Sequence, residues 1–177
     1  MMDNDSFIKP NSSSGNIGVR SAIEFRHKTD FFPTEELGDN ADIIKELVYV
    51  PEETRVGWFD IVEAKRKYAN VDYLVIRDVE LLGKIGKKLG YVKICTNYKY
   101  KDKYFHEYSE ELKDIKDEIE PEYIVIQGGW EIPIFIRDFE RLPNNAKAFI
   151  RLVEVFVGKK VKLIGIGPNV KDVIYKE

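Results

Sequence analysis

Between Leu142 and Tyr175 the apolar positions change period once. Ala146, Phe149, Ile150, Leu152, Val153 and Phe156 recur at spacings of three and four, one apolar stripe on a helix. Leu142-Pro143-Asn144-Asn145-Ala146 precedes that run with polar residues suited to capping, so the helix is predicted to enter there. Gly158 is its left-handed stop, and the two lysines after it suit the negative helix end. Val161 to Ile166 then reads as a short strand closed by Gly167-Pro168-Asn169. Gly167 has no side chain, so its backbone can approach a ligand closely. The plainer reading is a helix packed on a strand in any α/β core.

Upstream, the pattern predicts alternating elements. Residues 1–16 are rich in Asn, Ser and Asp and read as a mobile tail. Gly18 to Phe25 alternates roughly and is expected as one edge strand, broken by Phe31-Phe32-Pro33-Thr34-Glu35. Asp42 to Val50 reads as a short helix running into an extended stop at Pro51. Trp58-Phe59-Asp60 is expected to open a helix, with Trp58, Ile61, Val62, Tyr68 and Ala69 inward and Glu63, Lys65, Arg66 and Lys67 in water. Tyr73 to Ile76 is continuously apolar, the kind of strand buried on both faces. Asp78 follows it, then a helix over Val79–Leu89 that Gly83 and Gly86 weaken. Val92 to Tyr98 is a strand, Lys99 to Tyr104 a polar hairpin-like turn. Ser109 is placed to cap a helix carrying Leu112, Ile115 and Ile119. Tyr123 to Ile126 is another strand, closed by Gly128-Gly129-Trp130. The expected fold class is α/β: a single domain over residues 17–177, a mixed sheet with flanking helices.

Composition narrows the function classes. The chain has 177 residues, 44% hydrophobic, enough for one domain with a real core. A net charge of -3 argues against a general polyanion binder, so no nucleic-acid partner is expected. Cys95 is the single cysteine, which excludes an internal disulfide and a Cys-based zinc cluster. His27 and His106 are the only histidines, too few for a His-rich metal site. No apolar run approaches ~20 residues, and the N-terminus lacks a signal-peptide core. A soluble cytoplasmic protein is the default expectation.

Three local features imitate binding motifs. Gly83-Lys84-Ile85-Gly86-Lys87 has the residue types of a phosphate loop at the wrong spacing. Its Gly-x-x-Gly also resembles a KH-domain loop, without the flanking strand order. Trp58 and Trp130 are expected in the core rather than as stacking platforms, and the Lys/Tyr-rich stretch from Lys93 to Tyr104 as a solvated strand face.

Six segments, collinear over roughly residues 18–174, resemble the C-terminal part of adenylosuccinate synthetase. Phe32-Pro33-Thr34-Glu35 is similar to that family's Pro-Phe-Pro-Thr-Glu. Arg55-Val56-Gly57-Trp58-Phe59-Asp60 is similar to its Arg-x-Gly-Trp-Phe-Asp. Val92-Lys93-Ile94-Cys95 through Tyr98-Lys99-Tyr100 is similar to its Ile-Lys-Ile-Cys-x-x-Tyr-x-Tyr. Glu120-Pro121-Glu122-Tyr123 with Gly129-Trp130, Leu142-Pro143-x-Asn145-Ala146, and Ile164-Gly165-Ile166-Gly167-Pro168 complete the set. The resemblance implies kinship with enzymes that join IMP to aspartate using GTP.

The departures matter as much. Nothing here matches the family's Gly-Asp-Glu-Gly-Lys-Gly phosphate loop or its catalytic Asp and His, so no residue is assigned a catalytic role. Val48 to Arg55 stands where the family has a Thr-rich loop and arginines for aspartate and IMP. Glu52 and Glu53 occupy two arginine positions, and only Arg55 survives. Arg26 aligns with an arginine that touches IMP; the plainer reading is a solvated strand arginine. Asp78 aligns with the carboxylate that accepts from guanine N1 and N2, but its companion Lys is Ile76. Gly167 and Pro168 match a loop lining that pocket, followed here by Asn169-Val170 instead of Asp-Arg. The alternative is that Asp78 caps the next helix. The candidate nucleotide-binding residues are therefore Asp78, Gly167, Pro168, Arg26 and Arg55. No cofactor is certain: GTP or GDP is the candidate ligand, and Mg2+ enters only if a partner brings a phosphate loop. Three functions stay open: a non-catalytic module acting through a protein partner or self-association, a subunit of a split synthetase, and a weak guanine-nucleotide binder.

Overall fold

In a computed structural model the described residues are 15–27, 30–133 and 135–177; most of the expected tail, residues 1–14, lies outside them. Two sheets share one interior. The first has the order β1-β4-β8-β9: β1 (Ile17–Ser21), β4 (Tyr73–Arg77) and β8 (Lys160–Gly165) are parallel, and β9 (Val173–Tyr175) returns antiparallel. The second runs β2 (Ile23–Arg26), β3 (Arg55–Asp60), β5 (Tyr91–Tyr100) and β6 (Lys103–Phe105), with β7 (Glu120–Gln127) also paired to β5. The helices are α1 (Asp39–Val48), α2 (Ile61–Lys67), α3 (Val79–Leu89), α4 (Glu111–Asp114) and α5 (Asn144–Val157), with a 3-10 turn at Phe139–Arg141. One large apolar cluster joins Trp58 and Phe59 of β3, Leu74 and Ile76 of β4, Ile85 of α3 and Phe149 of α5. A second gathers Val62, Cys95, Tyr98, Phe105 and Leu112. Phe59 meets Phe149 edge to face, with centroids 5.6 Å apart.

The periodicity held best where one face alone is buried. α3 has its expected span, and α5 ends at Gly158 in the left-handed region, φ 74°. The hairpin between β5 and β6 turns at Lys101, φ 53°. Gly83 and Gly86 do not merely weaken α3. A Cβ on Gly83 would lie 2.7 Å from the Trp130 carbonyl oxygen, and one on Gly86 2.9 Å from Gly128 Cα. The two glycines let the 128–130 segment press against the helix.

Four expectations need correction. Gly18 to Phe25 is two strands in two sheets. Ser21 Oγ accepts from the Ile23 amide at 3.2 Å, and the Ala22 amide donates to the Arg77 carbonyl at 2.9 Å, so the ladder breaks between them. Trp58-Phe59-Asp60 is the end of β3, not a helix start. β2 and β5 flank it, so this run is buried on all sides and carries no helical face. Its Asp60 then caps α2, accepting from the Glu63 amide at 3.1 Å. Ser109 does not cap a long helix: α4 is a single turn, the Leu112 amide uses the Ser109 carbonyl at 3.1 Å, and Ser109 Oγ is buried without a partner. Finally, β4 is buried on one face only. Leu74 and Ile76 are enclosed while Tyr73 and Val75 are partly exposed.

Candidate functional site

β4 and β8 run parallel, with Ile76 opposite Ile164, so the chain that follows each strand leaves the sheet on the same side. Asp78 follows β4; Gly165 to Pro168 ends β8 and leads into the turn. A Cβ at Gly165 would sit 3.2 Å from Arg77 Cα and 3.7 Å from the Asp78 nitrogen. In open α/β sheets, the carboxyl ends of parallel strands are where ligands are held. The structure thus sets the Arg77-Asp78 backbone beside Gly165, two residues before Gly167.

Asp78 does not cap α3, contrary to the plainer expectation. It occupies the N-cap position at φ 63°, ψ 27°, and its side chain makes no cap hydrogen bond. A non-glycine residue held in the left-handed region marks a constrained position. Its carboxylate is 28% exposed, and Arg77 stands 3.7 Å away. The surroundings are acidic. Burial first, then the charges of Asp78 and Asp172, raise the Glu80 carboxyl above its ordinary range, and Glu80 Oε2 is buried without a partner. A backbone hydrogen bond and the charge of Lys84 act in the opposite direction.

The Gly-Pro loop is folded around its own carboxylate. Asp172, 3% exposed, accepts from the Asn169 amide at 3.1 Å and from Asn169 Nδ2 at 2.6 Å. The Asp172 carbonyl takes the Ile166 amide at 2.8 Å. A Cβ on Gly167 would lie 2.8 Å from Asp172 Oδ2, so the space that Gly167 leaves is used within the chain.

Arg26 and Arg55 lie opposite each other across the β2–β3 ladder, in the other sheet. Their guanidiniums both sit 5.4 Å from the Phe32 ring centroid. Arg26 is not a solvated strand arginine: it pairs with Glu63 and, at 3.4 Å, with Glu24. Arg55 pairs with Glu35 at 2.5 Å and donates to the carbonyls of Asp30 at 2.6 Å and His27 at 3.2 Å. Glu52 and Glu53 are exposed on the turn before β3.

Sequence reasoning missed a buried polar cluster beside these arginines. Arg20 and Glu24, 4% and 8% exposed, form an ion pair over the Phe59 ring. Asp60, 2% exposed, accepts from the Tyr98 hydroxyl as well as the Glu63 amide. Burial pushes the Asp60 carboxyl up to about 6, against the Tyr98 hydrogen bond, which pulls it down. The one available signal was an Asp ending a run of aromatic residues.

Two sheets sharing a core, with parallel strands and flanking helices, define a mixed α/β domain. Its relatives agree with that class. The chain belongs to the adenylosuccinate synthetase family, whose model matches residues 4–174. It is 28% identical over 169 residues to the adenylosuccinate synthetase of Clostridium beijerinckii, covering 92% of this chain and 38% of that protein. The Acetivibrio thermocellus synthetase is 32% identical over 164 residues, with 89% and 38% covered. Among solved structures, the fully ligated adenylosuccinate synthetase from Plasmodium falciparum superposes with a TM-score of 0.76 at 26% identity, over 91% of this chain and 39% of that one. The chain spans about two fifths of the length of the curated relatives it matches. No helix among the described residues is long and apolar enough to cross a membrane.

Proposed function

We propose that this chain is a non-catalytic adenylosuccinate synthetase-like module that acts through a protein partner. The reading is carried by the engagement of Arg26 and Arg55 by Glu63, Glu24 and Glu35 of the same chain. An aspartate substrate would have to displace these carboxylates and approach Glu52 and Glu53. Each like-charge contact costs about 1 kcal/mol even in water. The test supplies the purified chain with IMP, aspartate, GTP and Mg2+, and separately isolates it from its own cells under native conditions. Adenylosuccinate formed by the chain alone refutes the reading, as does a monomer with no partner of fixed stoichiometry. No product from the chain alone, with a stoichiometric complex, is the expected outcome.

Asp78 favours a second reading, a subunit of a split synthetase that contributes part of a guanine pocket while another chain brings the phosphate loop and its Mg2+. The motivating observation is a carboxylate that leaves the adjacent helix uncapped at the end of β4, the parallel neighbour of the strand that leads to Gly167-Pro168. Without a phosphate cradle, guanine-nucleotide binding by the chain alone is expected at about millimolar Kd. Calorimetric titration with GDP tests it: Asp78→Ala should abolish the heat, and unchanged affinity removes the contact.

A further inference from the structure

Strand β7 closes one side of the five-stranded sheet. Ile94 and Cys95 of β5 pair with Phe59 and Asp60 of β3 on one flank and with Ile124 and Tyr123 of β7 on the other, so β7 is outermost. The aim of its backbone groups follows from two bonds. The Gly128 amide donates to the Gly90 carbonyl at 2.9 Å, which continues the β5–β7 ladder and turns the polar groups of Ile126 and Ile124 toward β5. Those of Tyr123, Val125 and Gln127 therefore face outward. The Gln127 carbonyl agrees with this, accepting from Asn145 Nδ2 at 2.8 Å. Pro121, which has no amide hydrogen, falls on the same outward set, where a proline costs the ladder nothing. Among the described residues, no backbone group meets the outward amides and carbonyls of Tyr123 and Val125. Natural edge strands are blunted by charge, by proline or by a bulge. Tyr123-Ile124-Val125-Ile126 carries no charge, and Val125 is 61% exposed.

We infer that β7 is a homodimerisation edge, to which a second copy adds its own β7 antiparallel about a two-fold axis at Ile124. The inference goes beyond the reading above and holds with or without a further protein partner. Features of the strand itself select a second copy. With Ile124 opposite its equivalent, Tyr123 faces Val125 of the second copy, and the two exchange both backbone bonds on each side of the axis. Pro121 then faces Gln127. The missing Pro121 N–H lies opposite the one carbonyl that Asn145 already holds, and the Gln127 amide is left to donate to the Pro121 carbonyl. A foreign strand without that proline would bring a donor with no acceptor there. The side chains agree. Tyr123 beside Val125 is an aromatic–β-branched pair, and Ile124 meets Ile124 at the closer, non-hydrogen-bonded spacing. Glu122 falls opposite Ile126 and Glu120 opposite Gly128, so no two carboxylates meet; a parallel approach would set each glutamate against its equivalent. The contact is isologous and closes at two copies.

The test is sedimentation velocity of the purified full chain over a concentration series, and a dimer that dissociates on dilution is expected. Val125→Pro deletes an outward amide and no bond to β5, so the chain should still fold by circular dichroism. Two hydrogen bonds per dimer are lost, which should weaken association about thirtyfold. Cysteine variants test the register, because Cys95 is the single cysteine and is buried. Ile124→Cys faces its equivalent at a Cα separation of about 4.5 Å, within disulfide reach. Val125→Cys is offset by two residues from its equivalent, beyond the limit of about 7 Å. Under mild oxidation the partly buried position 124 should cross-link about tenfold faster than the more exposed position 125, the reverse of the order set by exposure. A chain monomeric at every concentration, a dimer untouched by Val125→Pro, or faster cross-linking at 125 overturns the inference. The first of these leaves the partner reading standing on its own test, since a chain that is monomeric when pure can still be isolated from cells with another protein.

Discussion

Asp60 should make this protein less stable at neutral pH than at pH 4, and Asp60→Asn should remove that loss. The carboxyl is 2% exposed, and burial raises it from an ordinary value of 3.8 to about 6 in the folded state. A folded-state value above the unfolded one means that the native chain holds the proton more tightly. The stability from that proton is fully present below pH 3.8 and is lost as pH rises through about 6. Two pKa units at about 1.4 kcal/mol each give about 3 kcal/mol across that window. The facing groups are Glu24 on β2, Arg20 on β1, Arg26 on β2, Glu63 on α2 and Tyr98 on β5. Glu24 raises the carboxyl, whereas Arg20, Arg26 and the Tyr98 hydroxyl lower it.

The assay is urea unfolding followed by Trp fluorescence at closely spaced pH values from 4 to 7.5, for the native chain and Asp60→Asn. Asn keeps an oxygen for the Glu63 amide, so the cap persists. The measured quantity is the stability difference between the two proteins, because other carboxylates titrate in both and cancel. The variant should gain on the native chain by about 2 kcal/mol between pH 4 and pH 7.5, part of the full change having already occurred at pH 4. Tyr98→Phe should move the midpoint of the change to higher pH by deleting the hydrogen bond that favours the charged form. A difference that is flat across the range refutes the reasoning.

Other perturbations test the packing. Gly128→Ala places a Cβ 2.1 Å from the Gly86 carbonyl oxygen and 2.7 Å from Gly86 Cα, backbone that cannot rotate away. A loss of about 3 kcal/mol or more is expected by urea unfolding, and an unchanged midpoint would show that the two segments separate freely. Glu36 accepts from Trp58 Nε1, Lys93 Nζ at 3.0 Å and Asn40 Nδ2 at 3.5 Å. Glu36→Ala strands a buried indole donor and should cost about 2 kcal/mol; a loss below the error of the measurement would mean that water replaces the carboxylate.

The fold was legible where a segment has one wet side. α3 and α5 each carry a single stripe, and α5 also has a left-handed glycine to end it. Legibility failed where burial is complete. Arg55 to Asp60 is enclosed from Val56 onward, so neither a period of two nor one of 3.6 shows in it. At Gly18 to Phe25 the strand breaks through contacts with Arg77, more than fifty residues away in sequence. The candidate site divides in the same way. Asp78 and Gly167 were nominated from motif residues, and they follow the neighbouring parallel strands β4 and β8. The carboxylates that occupy Arg26 and Arg55 come from β2, α2 and the segment before α1, an arrangement set by tertiary packing. The Asp60–Tyr98 pair likewise depends on β3 lying parallel to β5, with Asp60 opposite Cys95.

The surviving motif residues serve one another. The Thr34 carbonyl accepts the Trp58 amide at 3.0 Å, and a Cβ on Gly57 would lie 2.3 Å from that carbonyl oxygen. Phe32 lies beneath both Arg26 and Arg55, and Glu35 holds the latter. Trp130 packs against Gly83, and Asn145 Nδ2 reaches the Gln127 carbonyl at 2.8 Å. Each of these segments would keep its residues for packing alone, with no ligand acting on them. Asp78 differs, being held at a positive φ without capping its helix, so it is the position at which packing alone does not explain the side chain. Its substitution therefore separates a scaffold from a binding module, whereas loss of any of the other motif residues would damage both.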